Sequence, residues 1–221
     1  MVLRRSLLAR FALATLFSLL AGCGGWTGAA FEGFSHAWRG GVDLAAAKLQ
    51  PDLRYLLVDA NGIRGLLVLG NVDPDPAGPV EVWYSADQAV LRLQGGRLVG
   101  IRGVGNDWVD VVLSGAPALS ALAGTTTYQR TRTEMPDYRY RREAVTAAPL
   151  VAPPADVPVR WRDGRVAWVG EETAAAETRL PASYGLQEGR LVFGRQCLAD
   201  GSCITWQPLP PGSLSVAGLD G

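Results

Sequence analysis

The sequence predicts a mainly β fold: an antiparallel barrel or a two-sheet sandwich, with a short N-terminal helix. Three observations predict it. Short runs rich in Val, Leu, Ile, Trp and Tyr recur from Leu53 to Gln207. Turn signals separate them, Asn61-Gly62, Gly95-Gly96 and Ala199-Asp200-Gly201 among them. Clear helical periodicity appears only near the N-terminus.

The elements follow in chain order. Arg4, Arg5 and Arg10 lead into the apolar run Phe11 to Leu20, which is too short to span a bilayer and reads as a secretory leader. It ends in Leu20-Ala21-Gly22-Cys23, small residues before a cysteine, the order of a bacterial lipobox. Residues 1–22 are therefore a lipoprotein signal peptide, Cys23 is the lipidated residue, and 23–30 form a flexible tether. No aspartate follows Cys23, which in a Gram-negative host points to the outer membrane and a periplasm-facing protein. Phe31, Phe34, Ala37 and Trp38 share one helical face, and Gly40-Gly41 stops that helix. Asp43 to Leu49 suits a second short one, ended by Pro51.

Strands follow. Leu53 to Ala60 and Ile63 to Gly70 flank Asn61-Gly62. Val80 to Ser85, Ala89 to Gln94 and Arg97 to Arg102 form a meander. Trp108 to Ser114 is a further strand, and Ala116 to Ala123 a short helix or loop. Thr125 to Glu134 and Asp137 to Thr146 are arms around Met135-Pro136. Ala147 to Pro158 holds Pro149, Pro153, Pro154 and Pro158, so it is a surface loop or an extended edge. Val159 to Arg162 and Arg165 to Val169 flank Asp163-Gly164. Arg190 to Leu198 and Ser202 to Gln207 close the pattern. Residues 31–210 thus form one β-rich domain, and 211–221 a tail.

Ala199-Asp200-Gly201 suits a type I turn with Gly201 in the left-handed region. That register puts Cys197 opposite Cys203, within reach of a disulfide in an exported protein. Cys23 is then the odd cysteine, free for lipid.

Composition excludes several function classes. Acidic and basic residues number 21 each, which argues against a nucleic-acid partner held by broad charge. The leader takes three arginines with it, so the mature chain is mildly acidic. One histidine, His36, and three cysteines leave no zinc framework or histidine-based catalyst. His36 suits a surface or capping role. Asp73-Pro74-Asp75 reads as acids in a rigid turn, since the rest of a calcium loop is missing. Glu171 and Glu172 on one strand point to opposite faces and do not make a paired-carboxylate site. No catalytic residue, metal ligand or cofactor is expected, and the chain reads as non-enzymatic.

Tyr128 to Glu143 carries the most informative pattern. Tyr128, Arg130, Arg132 and Glu134 share one face of the first arm. Asp137, Arg139, Arg141 and Glu143 share a face of the second, opposite Tyr138, Tyr140 and Arg142. Neither face is apolar. This suits a solvated hairpin with cross-strand ion pairs, or a polar groove in which arginine forks take acidic groups and tyrosines stack on sugar rings. Tyr128, Arg130, Arg132, Tyr138, Arg139, Tyr140 and Arg141 are the candidate glycan or partner contacts. Trp83, Trp108, Trp161, Trp168 and Trp206 fall on expected strands and suit core positions.

Several stretches resemble the YjbF/GfcB family of bacterial lipoproteins. They are Leu66-Leu67-Val68-Leu69-Gly70, Trp83-Tyr84-Ser85-Ala86-Asp87 with Gly96-Arg97-Leu98-Val99, Met135-Pro136-Asp137-Tyr138-Arg139-Tyr140-Arg141, and Gly189-Arg190-Leu191-Val192 with Gln196. The resemblance runs from about Arg54 to Pro210. Gly100-Ile101-Arg102-Gly103 and Val192-Phe193-Gly194-Arg195 depart from its usual pattern. It implies an accessory role in exopolysaccharide or group 4 capsule export, with acidic polysaccharide and export proteins as partners. The other readings are a lipid carrier or chaperone-like barrel with an apolar cavity, and a glycan-cleaving enzyme.

Overall fold

A computed structural model describes residues 47–60, 62–86, 88–173, 180–198, 201–213 and 216. The leader, Cys23, the tether, His36 and the expected helix over Phe31 to Trp38 lie outside them. Twelve antiparallel strands form a closed up-and-down barrel. They are β1 (Tyr55–Ala60), β2 (Ile63–Asp73), β3 (Val80–Ser85), β4 (Val90–Gln94), β5 (Arg97–Arg102), β6 (Trp108–Ser114), β7 (Thr126–Glu134), β8 (Arg139–Leu150), β9 (Ala167–Thr173), β10 (Ala182–Gln187), β11 (Arg190–Cys197) and β12 (Cys203–Pro208). Each strand pairs with the next, and β1 pairs with β12, so the sheet has no free edge.

Short turns make this topology. Gly95 and Gly96 both take positive φ, 55° and 87°, as the tight β4–β5 hairpin requires. Between β11 and β12 the Leu198 amide donates to the Ser202 carbonyl at 2.7 Å, and Gly201 has φ 81°. This is the expected register, with Cys197 paired to Cys203 and bonded to it as a disulfide.

Side chains alternate between the lumen and the outer face. Directly opposed residues share a face, so Val58, Trp206, Gly194, Tyr184 and Val169 form one inward row across five strands. The lumen is packed with Leu56, Val58, Trp83, Leu91, Leu93, Trp108, Tyr184 and Trp206, all buried. Burying one such indole stabilises the fold by roughly 5 kcal/mol as an upper figure. A 3-10 turn, Leu119–Ala121, covers the end where β1 begins, with Leu119 inserted in the core. Two smaller apolar clusters lie on the outer wall under flanking chain. Leu49, Leu209 and Val216 cover Tyr55 and Leu57; Val157 and Trp161 cover Trp168 and Phe193.

Some expectations change. Val159 to Arg162 is not a strand: Val159–Trp161 forms a 3-10 turn that starts after Pro158 and lies in the cover over Trp168. β9 pairs instead with β8 and β10. β10 replaces a stretch with no expected element. β8 runs on to Leu150, and Pro149 pairs with Val169 beyond the last β7–β8 pair, Thr126 with Ala147. Pro149 therefore needs no amide on the β7 side. Of the expected second helix, residues 47–49 are described and are not helical.

Gly194 lies between Tyr184 and Trp206, whose rings close over it at 6.3 Å. A Cβ there would fall inside the Trp206 indole, whereas one on Gly124 would meet nothing. Gly194→Ala is expected to destabilise the barrel by about 2 kcal/mol or more, and Gly124→Ala by under about 0.5 kcal/mol. Urea unfolding of the two variants checks this.

Candidate functional site

The β7–β8 hairpin divides into two halves. Tyr128, Arg130 and Arg132 project into the lumen and are buried. Past them the hairpin protrudes from the end opposite the Leu119–Ala121 plug. There Tyr138 and Tyr140 are 75% and 66% exposed. Arg139 pairs with Asp137 at 2.7 Å, and Arg141 with Glu134 at 3.2 Å. The seven expected contact residues therefore do not form one surface.

The buried half has few local reasons to be charged. Its partners come both from the hairpin itself, Glu134 and Glu143, and from distant strands. Arg97 on β5 donates through Nε to Glu171 on β9 at 2.8 Å and through Nη1 to the Pro117 carbonyl at 2.7 Å. The other Glu171 oxygen accepts from the Tyr128 hydroxyl at 2.9 Å and the Tyr184 hydroxyl at 3.2 Å. Three strands separate β5 from β9 around the wall, so this pair crosses the lumen. Arg97 also lies 5.5 Å from the Tyr128 ring centre.

A second crossing joins β7 to β11. Arg130 donates through Nε to Glu143 at 2.6 Å and through Nη1 to the Gln196 side-chain oxygen at 3.1 Å. Arg132 donates to Glu143, and to Glu134 through Nη2 at 2.6 Å. Both guanidiniums stack on Trp108, Arg132 with its carbon 4.3 Å from the ring centre and Arg130 at 5.0 Å. Of the expected cross-strand Arg–Glu contacts, those of Glu143 lie inside the barrel and Arg141–Glu134 lies at the rim.

Burial sets the electrostatics. It alone would lower Arg97; the adjacent Glu171 carboxylate outweighs it and holds the guanidinium above its ordinary value. Burial, then the Glu171 charge, push the Tyr128 and Tyr184 hydroxyls well above the usual phenol range. Both remain neutral donors to a carboxylate. Burial lowers Arg132, opposed by Glu143. Glu171, engaged by one guanidinium and two phenols, ties β5, β7 and β10 to β9.

Other expected positions fall as follows. Glu172 points outward and Glu171 inward. Asp73 pairs with Arg92 at 2.9 Å, and Asp75 accepts from the Ala77 amide and from Gln94. Among the described residues no group of three or more His, Cys, Asp and Glu could hold a metal ion. Sequence reasoning missed Arg97, Tyr184 and Gln196 as members of the buried network, and no local pattern announces them.

The buried phenols make a pH prediction. Tyrosine ordinarily ionises near 10.0. Above that pH the unfolded chain releases phenol protons that the folded barrel retains at Tyr128 and Tyr184. Stability from this source is complete below pH 10 and falls as pH rises further. Urea midpoints between pH 9 and 11 are expected to drop less steeply in Tyr128→Phe than in the parent chain. Parallel slopes would contradict this.

Comparison with known proteins follows the same lines. The family model described as group 4 capsule polysaccharide lipoprotein gfcB, YjbF, matches residues 47–204. No curated protein matches. The solved structure of the hypothetical lipoprotein YmcC from Escherichia coli (K12) is similar at a TM-score of 0.55 and 19% identity, covering 76% of this chain and 93% of that one. Lipoprotein LppX from Mycobacterium tuberculosis gives a TM-score of 0.22 at 11% identity, over 84% of this chain and 94% of that one.

Proposed function

Because the chain belongs to the YjbF family of group 4 capsule polysaccharide lipoproteins, we propose that it is a non-enzymatic accessory of capsule or exopolysaccharide assembly or export. It acts by binding, to the glycan or to an export-machinery protein. A lipid on Cys23 holds it to the outer membrane, facing the periplasm. The reading rests on one observation above all: the lumen is filled with its own side chains, so what the protein offers a partner is its surface. A filled lumen also counts against a carrier that houses a lipid inside the barrel.

The exposed half of the hairpin is the contact surface in this proposal. Tyr138, Arg139, Tyr140 and Arg141 stand clear of the barrel, and Tyr138 and Tyr140 offer large open rings. Tyrosine faces stack on sugars, and arginine forks take uronate carboxylates in pairs of hydrogen bonds. Chain direction supports the arrangement. The described chain enters β1 at the end opposite this tip, so an anchored barrel can direct the tip away from the membrane.

Replacing Tyr138, Arg139, Tyr140 and Arg141 together by alanine is expected to change folding stability by under about 1 kcal/mol, since the ion pairs there are exposed. Surface polysaccharide is expected to fall to the level of a deletion strain. Normal polysaccharide amount and length in cells carrying the folded variant would overturn the role assigned to the tip.

A further inference from the structure

We propose that a cleft in the outer wall, between the β3–β5 sheet and β6, binds one or two sugar rings. This goes beyond the hairpin tip, and the two readings can fail separately. The cleft has a backbone cause. The β5–β6 ladder is held at one register pair, Ile101 with Trp108, while β4–β5 and β6–β7 on either side each pair at five positions. β6 then departs through a shift between Val109 and Val112, with Asp110 at φ 51°, a left-handed conformation unusual for an aspartate in a strand. The gap has a volume of about 470 Å³, within the roughly 300–1,000 Å³ of small-molecule sites.

Register places its lining. Tyr84, Val90 and Arg102 stand in one row, and Val82, Arg92 and Gly100 in the next. Both rows lie on the wall face opposite the core residues Trp83 and Leu91. The Arg92 stem lies flat across Gly100, where a Cβ would sit 3.0 Å from its Cδ. The guanidinium is held by Asp73 at 2.9 Å. Val82 and Val90 give an apolar floor, and Tyr84 a half-open ring at the rim. Arg102 and Asp110 are exposed at the cleft, and neither has an ion pair or hydrogen bond among the described residues.

These groups select a ligand chemistry. A free carboxylate accepts hydroxyl protons, and a free guanidinium donates to hydroxyl oxygens. An apolar floor with a phenol ring at its edge suits the C–H face of a pyranose. A phosphate or sulfate would meet Asp110, and an acyl chain would meet both charges. A polyhydroxylated ring uses donor, acceptor and apolar face together.

Asp110→Asn and Arg102→Ala test the site. Both positions are exposed, and asparagine tolerates the left-handed backbone, so both variants should fold. Saturation-transfer NMR on the full chain in a sugar-free detergent, with glucose, galactose, N-acetylglucosamine, glucuronic acid and their β-linked disaccharides, gives the readout. At least one of these sugars is expected to receive transfer from the parent chain. Its affinity is expected to fall about tenfold or more in each variant, with the melting temperature unchanged, and to persist in the alanine variant of the tip. No transfer to any of the sugars would overturn the proposal. So would transfer undiminished in both variants. Transfer lost only in the tip variant would also overturn it while leaving the tip reading intact.

Discussion

The ion pair between Arg97 and Glu171 is the constraint on which the rest of the barrel depends. It joins β5 to β9 across the lumen, and both side chains are almost wholly buried. Two isolated charges there would cost far more than their attraction returns. They are tolerated because both carboxylate oxygens and two of the three guanidinium nitrogens are engaged, with Tyr128 and Tyr184 on the second carboxylate oxygen and the Pro117 carbonyl on Nη1, while Nη2 is buried without a hydrogen-bond partner among the described residues. The Arg130–Gln196 crossing repeats the device nearer the end from which the hairpin protrudes. Between them the two ties fix which strands face each other, and the indoles of Trp83, Trp108 and Trp206 fill what remains.

That arrangement sorts the molecule into a stabilising interior and a functional exterior. The same hairpin serves both. Its inner half, Tyr128 to Glu134, is bound into the network with Glu143, and its outer half carries exposed tyrosines and arginines beyond the rim. The outer wall of β7 is polar throughout, with Thr127, Gln129, Thr131 and Thr133 alternating against the buried positions. A rigid inner half gives the tip a fixed base, so a partner bound there need not order the hairpin first.

Most of the fold was legible because it is made locally. Gly95-Gly96, Gly62 and Gly201 each fix a hairpin over a few residues, and the flanking strands follow. The same locality made the Cys197–Cys203 bond readable. β10 escaped because Ala182 to Leu186 is buried on both faces, which erases the alternation a strand normally shows. Val159 to Trp161 alternates like a strand but starts after Pro158 and lies on the wall as a turn. The buried arginines were the larger error. Hydropathy places Arg130 and Arg132 outside, and the residue that receives Arg130, Gln196, lies 66 positions away. No single stretch of sequence holds both halves of that contact.

A double-mutant cycle on the lumen tie tests this account most directly. Arg97→Met and Glu171→Gln would be made singly and together, and unfolding measured in urea. Each single change leaves a buried charge or its donors uncompensated and is expected to cost about 3 kcal/mol or more. The double variant is expected to lose less than the sum, leaving a coupling of about 2 kcal/mol. Effects that simply add, within about 0.5 kcal/mol, would show that the two groups do not depend on each other and that something else holds the lumen closed.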